Sequence, residues 1–391
     1  MSSFILFNSL NDDIIISEAL SFLEEDNYDR HQYILNRLLE KALSLPIDGN
    51  LFKMYLCYLV RRDENLFSIR SEKFGRDIDD TLFNLALNDI KIIKRLFDMP
   101  VEFCTLNDKK ISGKDPIFNI FKSNKDVYMI ANLLVDYYYE NGAGIMNCYK
   151  GFKWDKNKGL IGIENCDPIT FDELIGNKMQ IEILINNTES FINGELCNNV
   201  LLFGDSGTGK SSSVKAILNK YYNQKLRIIE LNKKDFMDLN NILSLIKHRE
   251  LKFILFLDDL SFEEFEYEYK NMKALIEGSL EVRPKNILIY ATSNRKNLIR
   301  EEFNDRQGEE IHARETIEEK HSLAERFGIT LTFSVGNQND YLNTVYKLAE
   351  IYNIDLPKET LKGEAIKWAA LSSGRSNRVA KQFIMSVNSI R

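Results

Sequence analysis

Cysteine and histidine are scarce in this chain, and neither is clustered. The five cysteines stand singly, with no C-x-x-C pair of the kind that binds zinc or forms a redox couple. We therefore expect reduced, partly buried thiols. The four histidines have no cysteine or carboxylate at the spacing of metal ligands. These residues are Cys57, Cys104, Cys148, Cys166, Cys197, His31, His248, His312 and His321.

Long apolar runs are also missing. The longest, such as residues 253–257, have the length of a strand and fall far short of the roughly 20 residues that a membrane-spanning helix needs. Residues 1–10 contain no basic run followed by an apolar core and a small-residue cleavage site. We therefore expect a cytoplasmic protein with no membrane partner.

Positive charge is not in excess. Lys and Arg number 51 against 58 Asp and Glu, which gives a net charge of −7 and an isoelectric point near 5.4. This balance argues against attraction of the whole chain to nucleic acid or anionic lipid, although a local basic groove is compatible with it. With 44% hydrophobic and 28% charged residues, the composition indicates a globular protein rather than a disordered or collagen-like one.

Helical periodicity dominates the first part of the chain. Apolar residues recur at helical spacing, and the pattern Ser-Asn-Lys-Asp at 123–126 predicts the capped start of a further helix. We predict one all-helical N-terminal domain over residues 1–150, although the same apolar stripes would also suit an adaptor surface. Glycines and polar residues then predict a linker over 151–170.

Short apolar runs alternate with helical segments from Val200 onward. This alternation predicts an α/β fold, with a five-stranded parallel sheet flanked by helices in a core domain at 171–335. After Phe333 only helical stripes remain, which predicts a small helical lid at 336–391. The five predicted strands are 200–203, 226–231, 253–257, 286–291 and 329–333.

A phosphate-binding loop is the most specific motif. Residues 204–211 read Gly-Asp-Ser-Gly-Thr-Gly-Lys-Ser, which fits G-x-x-x-x-G-K-[ST] at every fixed position, and the flanking strand and helix are the context that this pattern requires. Glycines allow backbone N–H groups to surround phosphates, Lys210 adds a positive charge and Ser211 offers its hydroxyl to Mg²⁺. The predicted nucleotide-binding residues here are Gly204, Asp205, Ser206, Gly207, Thr208, Gly209, Lys210, Ser211 and Ser212.

Two carboxylates follow the predicted strand 253–257. A carboxylate at the carboxyl end of a parallel strand reaches the crevice above the sheet. We therefore expect Asp258 to hold Mg²⁺ together with Ser211, and Asp259 to activate the attacking water. Both aspartates would also suit the cap of a strand-to-helix turn, and Glu263 is an alternative base.

With these motifs in place, the sequence resembles AAA+ ATPases. The segment Phe-Asp-Glu-Leu-Ile-Gly at 171–176 is similar to the one that borders the adenine in that superfamily, which implies that Ile175 and Gly176 contact the nucleotide. Thr-Ser-Asn at 292–294 resembles the polar sensor, which implies that Asn294 contacts the γ-phosphate or the attacking water.

Two arginines extend the resemblance. Glu-Arg-Phe-Gly at 325–328 looks like the arginine-finger box of branch-migration motors and replication initiators, so Arg326 would act on the nucleotide of a neighbouring subunit. Gly-Arg-Ser-Asn-Arg at 374–378 looks like the second sensor, which implies that Arg378 reaches the nucleotide. A surface ion pair of Arg326 with Glu318 or Glu319, one or two turns back, is the alternative, and Arg375 is the rival of Arg378.

More narrowly, phrases such as Ser-Leu-Ala-Glu-Arg-Phe-Gly at 322–328 resemble an uncharacterised bacterial AAA+ family known only as a domain of unknown function. The resemblance implies an ATPase that uses ATP and Mg²⁺, assembles as a homo-oligomeric ring or helix, and remodels or loads an unknown protein or nucleic-acid client. An ATP-dependent switch or scaffold with little hydrolysis is the alternative. A small-molecule kinase is a third reading, for which no acceptor pocket is evident.

Two departures from the superfamily pattern bear on that choice. Most members carry glutamate where this chain has Asp259, and the shorter side chain implies slow hydrolysis. Residues 231–253 contain no aromatic-apolar-glycine loop of the kind with which unfoldases grip a threaded chain. Elsewhere, the aromatic and basic residues at 149–154 suit either stacking on nucleic acid or a linker surface, and the polar segment 295–316 has no assigned role.

Overall fold

Two compact units make up the computed structural model, residues 1–149 and residues 150–391. Each unit is described by itself below. The structure describes residues 3–24, 28–45, 47, 49–99, 103–106, 115–123, 125–260, 284–294, 327–372 and 374–389.

The N-terminal unit is helical in its described residues, as the periodicity predicts. One continuous hydrophobic core joins its helices, with Leu56, Ile90 and Leu134 fully buried in it. The helices are α1 (Ile14–Glu24), α2 (Tyr28–Ala42), α3 (Leu51–Arg62), α4 (Leu66–Phe74), α5 (Asp80–Phe97), α6 (Pro116–Lys122), α7 (Val127–Asn141) and α8 (Ile145–Cys148).

Side-chain caps start several of these helices. The helix predicted near 123–126 is confirmed as α7, but its cap is Asp126 and not Ser123. The Asp126 carboxylate accepts the backbone N–H of Met129 at 2.8 Å. In this way it satisfies one of the N–H groups that the first helical turn leaves without a partner.

The C-terminal unit contains a seven-stranded sheet, covered by helices and followed by three more helices. Its elements are β1 (Gly151–Asp155), β2 (Gly159–Gly162), α9 (Lys178–Ile192), β3 (Val200–Gly204), α10 (Lys210–Tyr221), β4 (Leu226–Leu231), α11 (Leu239–Ile246), β5 (Lys252–Leu257), β6 (Ile287–Ser293), β7 (Ile329–Phe333), α12 (Gln338–Ile351), α13 (Lys358–Leu371) and α14 (Asn377–Ser389).

The five predicted strands are consecutive in this sheet and parallel to one another, and they run from β4 to the edge strand β7. The strand order is β2-β1-β4-β5-β6-β3-β7, and every neighbouring pair is parallel except β1 and β2. The central strands are buried on both faces, which explains their continuous apolar sequence. In this order β6 lies between β5 and β3, so the carboxyl ends of these three strands meet at one edge.

The predicted linker at 151–170 differs from the structure, because 151–162 adds a hairpin to the sheet. Strand β1 pairs in parallel with β4, and β2 pairs antiparallel with β1. The polar run that indicated a linker forms the hairpin turn, where the Asp155 carboxylate accepts the N–H groups of Asn157 and Lys158, each at 2.9 Å. Turns and linkers favour the same residue types, which explains the error.

The aromatic residues of this hairpin are engaged within the fold. Phe152 is fully buried, and Trp154 donates its Nε1–H to Asp238 at 3.2 Å. The Phe152 ring is therefore not accessible for stacking on a nucleic-acid base, whereas the Trp154 ring is half-buried.

The helices after β7 have a hydrophobic core of their own, in which Val345, Ala365 and Ala380 are fully buried. They lie within the predicted lid, and we keep the name lid for residues 336–391. Among the residues that the structure describes, no helix combines the length and the apolar character needed to cross a bilayer.

Candidate functional site

The loop between β3 and α10 has the conformation that its glycines predict. Gly204, Gly207 and Gly209 have φ angles of 136°, 76° and 98°, which side chains rarely adopt. A Cβ atom on Gly204 would also lie 1.8 Å from the carbonyl oxygen of Phe333 on β7. The loop therefore turns tightly against the neighbouring strand and directs the N-terminus of α10 into the crevice.

Lys210 is the first residue of α10, and its side chain turns back beneath the loop. Its Nζ donates to the carbonyl oxygens of Gly204 and Asp205, both at 2.7 Å, and to Oδ1 of Asn294 at 3.0 Å. Burial lowers the pKa of Lys210, and the carboxylates of Asp205, Asp259 and Asp258 oppose that shift. The three N–H donors of the ammonium thus all have oxygen partners, which fix the charge beside the loop.

Asp258 follows β5 and joins three elements through one oxygen atom. Its Oδ1 accepts the hydroxyl of Ser211 at 2.5 Å and the hydroxyl of Thr292 at 2.6 Å. Because Ser211 belongs to α10 and Thr292 to β6, the carboxylate lies beside the phosphate-binding loop, where the sequence analysis expected it.

Asp259 and Asn294 complete the same network. Asp259 has a φ of 55°, an uncommon value for a residue with a side chain, and its N–H donates to the hydroxyl of Thr292 at 2.9 Å. The Asn294 amide donates to Oδ1 of Asp259 at 2.7 Å, and its own oxygen accepts from Lys210. One chain of hydrogen bonds thus links the loop with the two strand ends that carry acidic and polar residues.

Thr292 has a central place that the sequence analysis did not assign. It is 1% exposed, and its hydroxyl both donates to Asp258 and accepts from the backbone of Asp259. The sequence contained a signal for this role of Thr292, because residues two apart in a strand point to the same face. Thr292 precedes the predicted sensor Asn294 by two residues in the same strand segment.

The lid contacts the phosphate-binding loop directly. The backbone N–H of Arg378 donates to the carbonyl oxygen of Gly207 at 3.2 Å. Of the two candidate arginines, Arg378 lines the crevice next to Lys210, while Arg375 lines a separate hollow.

The predicted adenine-binding residues lie at that second hollow. Ile175 and Gly176 line it together with Arg375, and the Ile175 carbonyl oxygen accepts the side-chain amide of Asn377 at 2.9 Å. The residues of this segment that line the crevice are Glu173 and Leu174. The role predicted for Ile175 and Gly176 remains a prediction.

The crevice, called the cleft below, has a volume of about 600 Å³. Loop residues 206, 207 and 209–212 line it, whereas Thr208 is buried and its hydroxyl closes the loop onto the Asp205 carbonyl oxygen at 2.8 Å. The apolar side chains of Ile169, Leu174, Leu348 and Met385 also line the cleft.

Two predicted residues and one segment lie outside the described residues. These are Arg326, the alternative base Glu263 and the polar segment 295–316. Phe327, which follows Arg326, is fully buried.

Comparisons with known proteins agree with this architecture. Residues 147–390, more than half of the chain, match the family described as "Protein of unknown function (DUF815)". No curated protein sequence matches the chain significantly.

Solved structures of two proteins resemble this chain over part of its length. A variant of RuvB from Thermotoga maritima is 17% identical, with a TM-score of 0.40, over 56% of this chain and 65% of that one. Another RuvB structure, titled as a Holliday junction branch migration motor, is 13% identical with a TM-score of 0.33, over 56% and 71% of the two chains.

AMPPCP-bound DnaA from Aquifex aeolicus is 18% identical with a TM-score of 0.39, over 57% of this chain and 67% of that one. The match to the first of these RuvB structures covers less than two thirds of its length. The phosphate-binding loop, the strand order and the family match therefore carry the assignment. The chain belongs to the DUF815 family, and its C-terminal unit has the P-loop NTPase fold.

Proposed function

We propose that this protein binds ATP with Mg²⁺ and hydrolyses it in a homo-oligomer, and that the reaction serves to remodel or load a client. The observation that carries the proposal is the hydrogen-bonded network from Ser211 through Asp258 and Thr292 to Asp259 and Asn294. It brings a hydroxyl, two carboxylates and an amide to the edge of a phosphate-binding loop.

The cleft fits a nucleoside triphosphate in charge and shape. At one end the N-terminus of α10 and the ammonium of Lys210 suit phosphates. Ile169, Leu174, Leu348 and Met385, which also line the cleft, provide apolar surface for a flat base. The volume of about 600 Å³ lies in the range of small-molecule sites.

The oxygen atoms of Ser211 and Asp258 fit Mg²⁺, which prefers hard oxygen ligands and usually takes one or two carboxylates beside phosphates. These two side chains already converge, with their oxygen atoms 2.5 Å apart. When bound, Mg²⁺ would neutralise charge on the phosphate oxygens.

In this mechanism the side chains of the protein position the reactants and stabilise the charge that develops on them. The Lys210 ammonium stabilises the negative charge of the phosphates. Asp259 orients the attacking water and accepts its proton. Asn294 fixes Asp259 through the 2.7 Å hydrogen bond and is close enough to share in holding the water. Arg378 adds positive charge from the lid side.

We further propose that Arg326 stabilises the transition state in a neighbouring subunit. An arginine supplied in this way contributes on the order of 10³ to 10⁵ in rate in well-studied P-loop proteins. It requires a head-to-tail interface, which closes into a ring or continues as a helix. We expect the assembly to act in the cytoplasm on a protein or nucleic-acid client.

A switch with little hydrolysis is the second candidate, and Asp259 favours it. Its left-handed backbone and its hydrogen bond to Asn294 fix a short carboxylate in one place. An aspartate held there has less reach toward water than a glutamate would have. In that case ATP binding would control assembly, and turnover would stay low after assembly.

ATP turnover measured against protein concentration tests the proposal. The samples are wild type, Lys210→Ala, Arg326→Ala and an equal mixture of the two variants. We expect either variant alone to be nearly inactive and the mixture to regain activity, since one variant donates the arginine and the other a competent cleft.

Wild-type turnover in Lys210→Ala would overturn the ATPase proposal. Wild-type turnover in Arg326→Ala at every concentration would overturn the shared site alone. A wild-type protein that assembles with ATP but shows no rise in turnover would identify the switch.

A further inference from the structure

Three side chains outside the phosphate-binding loop join the lid to the segment that precedes α9. The carboxylate oxygen Oε2 of Glu173 accepts the hydroxyl of Tyr352 and the ammonium of Lys381, each at 2.9 Å. Tyr352 ends α12 and Lys381 belongs to α14, so one oxygen atom holds two lid helices. We call these three residues the clasp.

The clasp is better shielded than the ion pairs on the lid surface. The side chain of Glu173 is 17% exposed and that of Lys381 is 33% exposed, compared with 71% for Lys367 and 55% for Glu364 in the pair on α13. Burial would raise the pKa of Glu173, but the hydrogen bonds from Lys381 and Tyr352 lower it overall. The carboxylate is therefore stabilised in its charged form.

The position of Lys381 connects the clasp to the cleft. Lys381 follows Arg378 by three residues in α14, and residues at that spacing lie on the same face of a helix. Both side chains line the cleft. Fixing Lys381 against Glu173 therefore restricts the rotation of α14 and the direction in which Arg378 points.

Two further hydrogen bonds hold the same helix end, one from a backbone N–H and one from a side-chain amide. The Arg378 N–H donates to Gly207 at 3.2 Å, and the Asn377 amide donates to the Ile175 carbonyl at 2.9 Å. These contacts fix the start of α14 against the phosphate-binding loop and the segment before α9, while Ala380 and Phe383 pack in the lid core. The clasp adds a charged contact about one turn further along the helix, on the side of the cleft.

We propose that Glu173 is a positioning residue for nucleotide binding, which holds α12 and α14 so that Arg378 faces the cleft. The inference rests on the proposed function, since it concerns the same cleft. It adds that affinity for nucleotide depends on a carboxylate that acts through Arg378.

The test is a double-mutant cycle on the full chain, with a fluorescent ATP analogue and Mg²⁺ as the probe. We expect Glu173→Gln to weaken binding about 5- to 30-fold, the equivalent of one or two kcal/mol. Arg378→Ala should weaken it at least as much. Because Glu173 acts through Arg378, the double variant should bind no more weakly than Arg378→Ala alone.

Companion variants separate positioning from direct contact and from folding. Tyr352→Phe removes a hydroxyl that holds Glu173 from a residue outside the cleft lining, and we expect a smaller loss of affinity in the same direction. Glu364→Gln breaks the matched 2.8 Å pair with Lys367 on α13 and should bind as wild type does. Circular dichroism of each variant checks folding.

The outcomes distinguish the two proposals. Additive losses in the cycle, or wild-type affinity in Glu173→Gln, would overturn the positioning role and leave the nucleotide site intact. Absence of binding by the wild-type protein would overturn the proposed function itself.

Discussion

At the phosphate end of the cleft, Lys210 and the loop around it occupy eight consecutive residues, whereas the clasp at the lid end joins residues about 180 to 210 positions apart. Lys210 is 6% exposed and has three oxygen partners. Arg378, which the lid places beside the same loop, is exposed and is held in place by the helix that carries it.

This difference indicates how the two ends respond to change. The phosphate end is set by local backbone geometry, so a small alteration there should be felt strongly. The lid end is set by a few long-range polar contacts, each of which contributes modestly when solvent is close.

The largest effect is expected for Lys210→Ala on nucleotide affinity. Loss of a buried cation beside the phosphates should weaken binding about 100- to 1,000-fold, because charge-assisted hydrogen bonds are strong where water is excluded. Lys215→Ala is the matched control, since Lys215 lies on the same helix and pairs with Asp167 at 3.5 Å. Nucleotide affinity is measured by calorimetric titration. Equal losses of affinity in the two variants would show that Lys210 has no particular role in binding.

Gly204→Ala tests the backbone geometry of the same end. A Cβ there would clash with the Phe333 carbonyl oxygen, and the φ angle is unfavourable for alanine. The free energy of unfolding, measured in urea, should therefore fall by about 3 kcal/mol. Gly159 also has a positive φ, of 75°, but a Cβ there would meet nothing within 4 Å. Gly159→Ala should therefore cost only about 1–2 kcal/mol, and equal costs would contradict the predicted clash.

Thr292→Val examines the network between the strands. The substitution keeps the shape but leaves the Asp259 N–H without its hydroxyl partner and removes one donor to Asp258, which should cost about 1–3 kcal/mol of stability and lower turnover. Thr292→Ser keeps the hydroxyl and loses one methyl group, for about 1 kcal/mol. If both variants retained wild-type turnover, the network would have no catalytic importance.

The smallest effect is expected at the lid end, in the pH dependence of stability. Because the folded state lowers the pKa of Glu173, its contribution is present at neutral pH and is lost as pH falls through and below about 4.3, where free glutamate becomes protonated. Thermal unfolding of wild type should therefore decline more steeply in that range than unfolding of Glu173→Gln. The difference should not exceed about 1 kcal/mol, and parallel profiles would show that the clasp is not charged.

Sequence patterns predicted the individual strands and the loop because each of these is encoded by residues that are neighbours along the chain. Four of the five predicted strands are apolar runs that are largely buried, and the phosphate-binding loop follows from spacing within eight residues. The hairpin at 151–162 was missed because its turn has the composition of a linker. Only the pairing of β1 with β4 distinguishes a hairpin of the sheet from a linker.

The candidate site was predictable in part for the same reason. Asp258 follows a recognisable strand, and the structure brings it to Ser211 as expected. Thr292 was harder to assign, since its importance depends on hydrogen bonds to residues 33 and 34 positions away. Glu173 gave no signal, because its partners lie in helices near the end of the chain.

The sequence by itself determined which residues could bind phosphate and Mg²⁺, because glycine spacing and a strand-terminal carboxylate act through the local backbone. Tertiary structure alone decided which side chains face the cleft: Leu174 rather than Ile175, and Arg378 rather than Arg375. The physical reason is that the direction of a side chain depends on how its helix or segment is packed and rotated. That rotation is fixed by contacts between parts of the chain that no local pattern connects.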